Sequence, residues 1–186
     1  MLKKLWLLPL LLILGGCVSS NNYYVLSTST QPVHHYTQKH RVIGVEKVIV
    51  PKYLFKREIA VAKTSSQITF LDGAVWAEDL DAGLTQRLIA FLQKKFSQPN
   101  VYAYPWGVDR QPTVKIKVQL TRFIAQGDRV YLDANWEAEN IRTHRHKARL
   151  FSITVPTKSD ASSIVNAMDR AFGMLEKDIA KGIKNF

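Results

Sequence analysis

Two alternating runs between Val114 and Ala138 restrict this chain to folds that contain a long antiparallel strand pair. Val114, Ile116, Val118 and Leu120 alternate with Lys115, Lys117, Gln119 and Thr121, and then the phase slips, because the next apolar positions are Phe123 and Ala125. Val130, Leu132, Ala134, Trp136 and Ala138 keep one parity throughout. A two-residue turn at Gly127-Asp128 pairs Phe123 with Leu132, yet an uninterrupted ladder would then set Val118 against Glu137. One extra residue at Thr121-Arg122, a β-bulge, restores apolar pairing. It also sets Lys117 opposite Glu137, Lys115 opposite Glu139 and Arg122 near Asp133. The sequence therefore predicts a bulge there.

The remaining elements follow in chain order. Tyr23-Tyr24-Val25-Leu26 is β-prone, and Ser27 to His40 reads as a polar tether. Val42 to Val50 reads as a central strand that Pro51 ends by removing a donor. Ile59-Ala60-Val61 and Gln67 to Leu71 flank a Lys63 to Ser66 turn as a hairpin. After Asp72-Gly73 the period becomes helical, with Ala77, Leu80, Leu84, Leu88, Phe91 and Lys95 on one stripe widened by Trp76, Leu92 and Phe96. Glu78, Asp79 and Asp81 then fall in the first turn and Lys94 and Lys95 in the last, as the helix dipole favours. Val101 to Tyr104 is a short strand halted by Pro105, and Trp106-Gly107 opens a loop to Pro112. Leu150 to Val155 is the last strand. Ser159 or Asp160 caps a helix with Ile164, Met168, Phe172 or Leu175, Ile179 and Ile183 inward. The expected architecture is α/β (α+β): a single domain with one mixed β-sheet packed by two main amphipathic helices.

At the N-terminus, Lys3 and Lys4 precede an apolar run from Leu5 to Leu14, closed by Gly15-Gly16-Cys17. The run is too short to cross a bilayer, which takes about 20 residues. Leu14-Gly15-Gly16-Cys17 resembles a bacterial lipobox, which implies that residues 1–16 are a signal peptide and that Cys17 carries a covalent lipid. Residues 17–40 become a lipidated N-terminus with a short strand and tether, and 41–186 the folded domain. Val18 stands where an inner-membrane retention signal would place Asp, so the pattern resembles a lipoprotein sorted to the outer membrane. Cys17 is the one cysteine among 186 residues, so no internal disulfide can form.

Lys3 and Lys4 are the charges within 1–16, so 26 basic and 15 acidic residues become 24 and 15, a formal +9. An exported chain rarely meets nucleic acid, and no ribonucleoprotein or zinc motif is present, so nucleic acid is not an expected partner. Anionic headgroups or an acidic protein suit the charge better. The basic turn Arg142 to Lys147 is a candidate for such contact, against a plain solvated tip. His34, His35 and His40, or His144 and His146, lack the companions that a metal site needs. No nucleophile elbow, phosphate loop or zinc-protease motif occurs, and catalysis is not expected.

The lipobox, Tyr23-Tyr24-Val25-Leu26, Val42-Ile43-Gly44-Val45 leading to Val50-Pro51-Lys52-Tyr53-Leu54, and Trp76-Ala77-Glu78-Asp79-Leu80 together resemble the PqiC-type family of auxiliary lipoproteins. These accompany MCE-domain lipid transport systems. Family members commonly continue Pro-x-Tyr-Leu with Asp-Arg, whereas Phe55-Lys56 follow here. The resemblance implies a non-catalytic module on the periplasmic face of the outer membrane, engaging a periplasmic MCE-domain protein and supporting envelope integrity. It implies no cofactor beyond the lipid on Cys17 and leaves room for a homo-oligomer. Pro51, Tyr53, Leu54, Lys56 and Trp106 are the candidate partner contacts. An independent lipoprotein holding a small lipid or cell-wall ligand in its own cavity is the alternative.

Overall fold

The computed structural model describes residues 20–26, 32, 34–36, 41–105 and 111–186. The expected leader, Cys17, His40 and Trp106 lie outside the described residues. Those residues form one eight-stranded mixed sheet and two α-helices, as the periodicity required. The strands are β1 (Asn22–Tyr24), β2 (Ile43–Glu46), β3 (Glu58–Ala62), β4 (Ile68–Trp76), β5 (Val101–Tyr104), β6 (Val114–Gln126), β7 (Arg129–Asn140) and β8 (Arg145–Pro156). The helices are α1 (Leu80–Phe96) and α2 (Ala161–Ile183).

β6 is the spine of the sheet. One of its edges pairs with β7 along its whole length, and the other pairs in succession with β2 and β3, both parallel to it. The predicted bulge is present: Leu120 faces Ala134, and the next paired residue, Arg122, faces Asp133. Lys117 lies opposite Glu137, Lys115 opposite Glu139 and Phe123 opposite Leu132, as the parity argument demanded. Lys115 reaches both Glu139, at 3.5 Å, and Glu46, at 3.8 Å. The bulge keeps Val118, Leu120, Phe123 and Ala125 all on the buried side. Both helices pack there, around the fully buried Trp136, Phe91, Phe96, Phe123 and Phe172.

Three boundaries differ from those read in the sequence. The strand expected over Val42 to Val50 stops at Glu46, because the Val48 amide leaves the ladder and donates to Thr85 Oγ1 of α1 at 2.9 Å. Sheet contact resumes only as a single bridge between Ile49 and Gln119. Thr85 Oγ1 in turn donates to the Asp81 carbonyl at 2.6 Å. Thr85→Val keeps the shape but strands the Val48 amide, and a buried unpaired donor costs about 1–3 kcal/mol. Chemical denaturation of that variant should show such a loss.

Second, Asp72-Gly73 does not end β4. The strand bulges there, with Gly73 at φ +64°, and continues to Trp76, whose amide bonds the Arg57 carbonyl at 2.6 Å. A positive φ is cheap only for glycine, so this residue lets the strand bend without breaking. Trp76 and Ala77 therefore belong to the strand and its exit. α1 begins at Leu80, with Asp81 the acid of its first turn and Asp79 before it. Third, β8 begins at Arg145 rather than Leu150. Asn140 Oδ1 accepts the Arg142 and Thr143 amides and His144 turns at φ 53°, so the chain re-enters the ladder early. At α2 the cap is Asp160, which accepts the Ser163 amide at 2.8 Å.

Candidate functional site

The Pro51 to Lys56 segment carries the chain from β2 to β3 along one edge of β6, and folds as a 3₁₀ turn, Lys52–Phe55. Leu54 fixes the turn: its amide bonds the Pro51 carbonyl at 2.9 Å, and its side chain is 3 % exposed in the core. Leu54 thus supports the segment and does not present a surface. Tyr53 is half-buried, and its hydroxyl accepts the Phe123 amide at 3.2 Å, just past the bulge. Burial pushes its phenol above the ordinary value, while the Phe123 amide and Arg122 pull the other way. Lys56 is exposed, and so is Phe55, at 61 %. Sequence reasoning did not single out Phe55. Its signal was available, since a third successive apolar residue cannot join Leu54 inside a turn this tight.

Tyr53 forms one wall of a surface groove of about 350 Å³, whose other apolar walls are Ala62, Ile68 and Ile124. Arg122, Thr121, Thr64 and Gln126 add polar groups. The bulge is what brings Arg122 here: its guanidinium donates to Gln126 Oε1 at 2.8 Å and lies 3.9 Å from the centre of the Tyr131 ring. An extra residue in one strand re-aims side chains in this way. The groove therefore joins two features read separately from the sequence, the Pro51 to Lys56 segment and the Thr121-Arg122 slip. Apolar walls with a few fixed polar groups suit a protein segment or a small amphipathic ligand.

Two cations of the basic turn, Arg145 and Lys147, bond the end of α2, while Arg142, His144 and His146 are exposed. Lys147 Nζ donates to the Gly182 carbonyl at 2.9 Å and Arg145 to the Asn185 carbonyl at 3.2 Å, while Arg149 pairs with Asp178 at 2.7 Å. Arg41 adds bonds to the Ile183 and Lys184 carbonyls at 2.7 and 2.9 Å. Unpaired carbonyls at the end of α2 thus receive cations, as the dipole favours.

A second polar cluster escaped the sequence reading. Arg87 of α1 pairs with Glu176 at 3.2 Å and with Asp169, both on α2, and is 5.6 Å from the centre of the Phe172 ring. Glu176 is fully buried, and burial pushes its carboxyl up to about 7 even though Arg87 opposes the shift. The cluster is enclosed between two helices, so its chemistry is structural. Its signal was Arg87 on the inward stripe with Leu84, Leu88 and Phe91. Among the described residues, no three His, Cys, Asp or Glu side chains gather as a metal site would require, and no helix is long and apolar enough to cross a membrane.

Comparison with known proteins supplies the remaining findings. Residues 24–180 match the family described as the ABC-type transport auxiliary lipoprotein component. The chain is 29 % identical over 141 residues to the intermembrane transport lipoprotein PqiC of Escherichia coli K12, covering 72 % of this chain and 73 % of that one. PqiC of Shigella flexneri matches equally. Among solved structures, a Xanthomonas campestris protein superposes with a TM-score of 0.72 at 17 % identity, covering 88 % of this chain and 95 % of that one. An uncharacterised protein gives 0.72 at 22 % identity, covering 88 % and 99 %. Those two likenesses concern the fold alone. Since the family match spans nearly all of the folded domain, groove and bulge included, the chain belongs to the ABC-type transport auxiliary lipoprotein components.

Proposed function

We propose that this protein is a lipoprotein held by Cys17 at the periplasmic face of the outer membrane, where it docks a periplasmic MCE-domain protein of an intermembrane lipid transport system. The family match carries this reading, and the relatives named for intermembrane transport support it. A docking module needs an anchor and a surface, not a catalytic centre, because tethering raises the effective concentration of its partner. The groove beside Pro51, Tyr53 and Lys56, with Phe55 standing out from it, is the contact surface. Trp106 remains a candidate from the sequence. Four of the grooves formed by described residues hold about 160 to 350 Å³ each, and the one beside Tyr53 is among them.

Two measurements test the two halves of the proposal. Mass spectrometry of the natively processed protein should find a chain beginning at acylated Cys17, and an unmodified thiol would end the anchor reading. A photo-crosslinking residue at Phe55 should capture the MCE protein in intact envelopes. Phe55→Glu should weaken that association at least about tenfold, as loss of an exposed aromatic anchor does. Equal co-purification of the MCE protein with Phe55→Glu and with the parent would place the interface elsewhere.

A further inference from the structure

β1 leaves a lipid on Cys17 little slack. Asn22, Tyr23 and Tyr24 pair in parallel with Ala74, Val75 and Trp76 of β4, and the Tyr24 carbonyl accepts the Ala77 amide at 2.8 Å. Packing holds the pairing in place, since Trp76 is 2 % exposed and Tyr24 and Leu26 lie against the core. Just ahead of β1, the Ser20 carbonyl lies 3.6 Å from where a Cβ on Gly73 would sit, beside the bulge of β4. Of the stretch 17–40 expected to tether the domain, only residues 18–21 therefore separate Cys17 from the sheet. An extended chain covers at most about 3.6 Å per residue, so the step from Cys17 to Ser20 spans no more than about 11 Å whatever its path.

Exposed apolar side chains flank this point. Tyr23 is 65 % exposed and Val25 54 %, and both alternate with the half-buried Tyr24 and Leu26, so they stand on the side away from the core. Phe70 of β4, opposite Ala60 of β3, is also exposed. Tyr23 lies beyond Ser20 and Phe70 lies before Gly73, each about 10 Å along its strand. A tyrosine suits the boundary between headgroups and acyl chains, because its ring is apolar and its hydroxyl can stay wet. Glu58 and Asp72 are exposed beside the same edge, so an attraction of cations to anionic lipid is not what this surface offers.

We propose that the sheet edge formed by β1 and β4 faces the phospholipid leaflet, with Tyr23 and Phe70 in apolar contact at headgroup level, and that β8 points away from it. The inference rests on the acylated Cys17 of the reading above and adds an orientation to it. A leaflet is the occupant because the anchor brings lipid within reach of this edge by covalent geometry alone. β8 closes the opposite side of the sheet, five strand spacings from β1, or about 24 Å.

The test uses the full-length, natively acylated protein with one introduced cysteine, Tyr23→Cys, Phe70→Cys or Leu150→Cys, labelled with a fluorophore. Acylated Cys17 has no free thiol, so the introduced cysteine alone takes the label. The protein is placed in phosphatidylcholine vesicles that carry a nitroxide quencher on a fraction of their headgroups. Labels at Tyr23 and Phe70 should be quenched at least about threefold more than the label at Leu150, which is 89 % exposed on β8. The difference should persist near 1 M salt, where charges are screened beyond about 3 Å, because the contact is apolar. Tyr23 and Leu150 lie outside the core, so that pair decides the matter even if Phe70→Cys disturbs folding. Equal quenching at Tyr23 and Leu150 in acylated protein, or a difference that salt abolishes, would overturn the inference and leave the anchor standing. Label on Cys17 itself, found by mass spectrometry, would mean an unmodified thiol and would end the anchor and the orientation together.

Discussion

Arg87→Met should lose about 3–5 kcal/mol of folding free energy, the cost of leaving a buried carboxylate without its partner. Glu176 has no access to water, and Arg87 is the cation that pairs with it. Asp169 keeps some exposure and suffers less. Urea titration measures the loss, and Arg87→Met/Glu176→Met should recover most of it, since two packed apolar side chains replace two buried charges. A double variant as unstable as the single one would mean that the damage is to packing and not to charge.

The same carboxyl gives stability a pH slope. Its folded pKa, pushed up to about 7, lies above the ordinary 4.5, so the folded state takes up the proton more readily than the unfolded one. Its contribution is complete below about 4.5 and is lost as pH rises through about 7. Melting temperatures should therefore fall between pH 5 and pH 8 by a component that Glu176→Gln abolishes. Arg87→Met, which removes the influence holding the carboxyl down, should extend the decline to higher pH.

Trp136→Ala is the second large loss, about 3–5 kcal/mol for the cavity left by a fully buried indole. Its Nε1 hydrogen bond to Asp178 goes with it. The opposite change is equally informative. A Cβ at Gly182 would sit 2.1 Å from Trp136 Cη2 and 2.7 Å from Cζ2, so α2 lies against β7 only because this residue has no side chain. Gly182→Ala should cost about 1–3 kcal/mol by overpacking. The penalty should shrink in a Trp136→Phe background, where the ring is smaller, and a double-mutant cycle reads that coupling. Additive effects would mean that the helix shifts away instead.

What the sequence made legible was whatever has a period. The slip between Leu120 and Phe123 located the bulge, and the inward stripes are buried from Leu80 to Phe91 in α1 and from Ile164 to Ile183 in α2, while Trp76 and Ala77 precede α1 and Lys95 is only partly buried. The mixed sheet followed from the order of elements. What escaped depends on partners distant in the chain. Nothing near Val48 announces that Thr85 will take its amide. Nothing near Arg145 and Lys147 announces carbonyls at the end of α2 and just past it, 40 and 35 residues on. The groove was half legible: its two borders were read separately, and only folding joined them. Leu54 and Phe55 could not be sorted into inside and outside, because a 3₁₀ turn follows neither the strand nor the helix period.

Because β6 is bonded to β2, β3 and β7 at once, none of these four strands can leave the sheet without stripping amides from the others. Heat should dissolve it in one event, with tryptophan fluorescence and backbone ellipticity changing together. A shortened version lacking either flank of that strand would have no smaller folded form to fall back on.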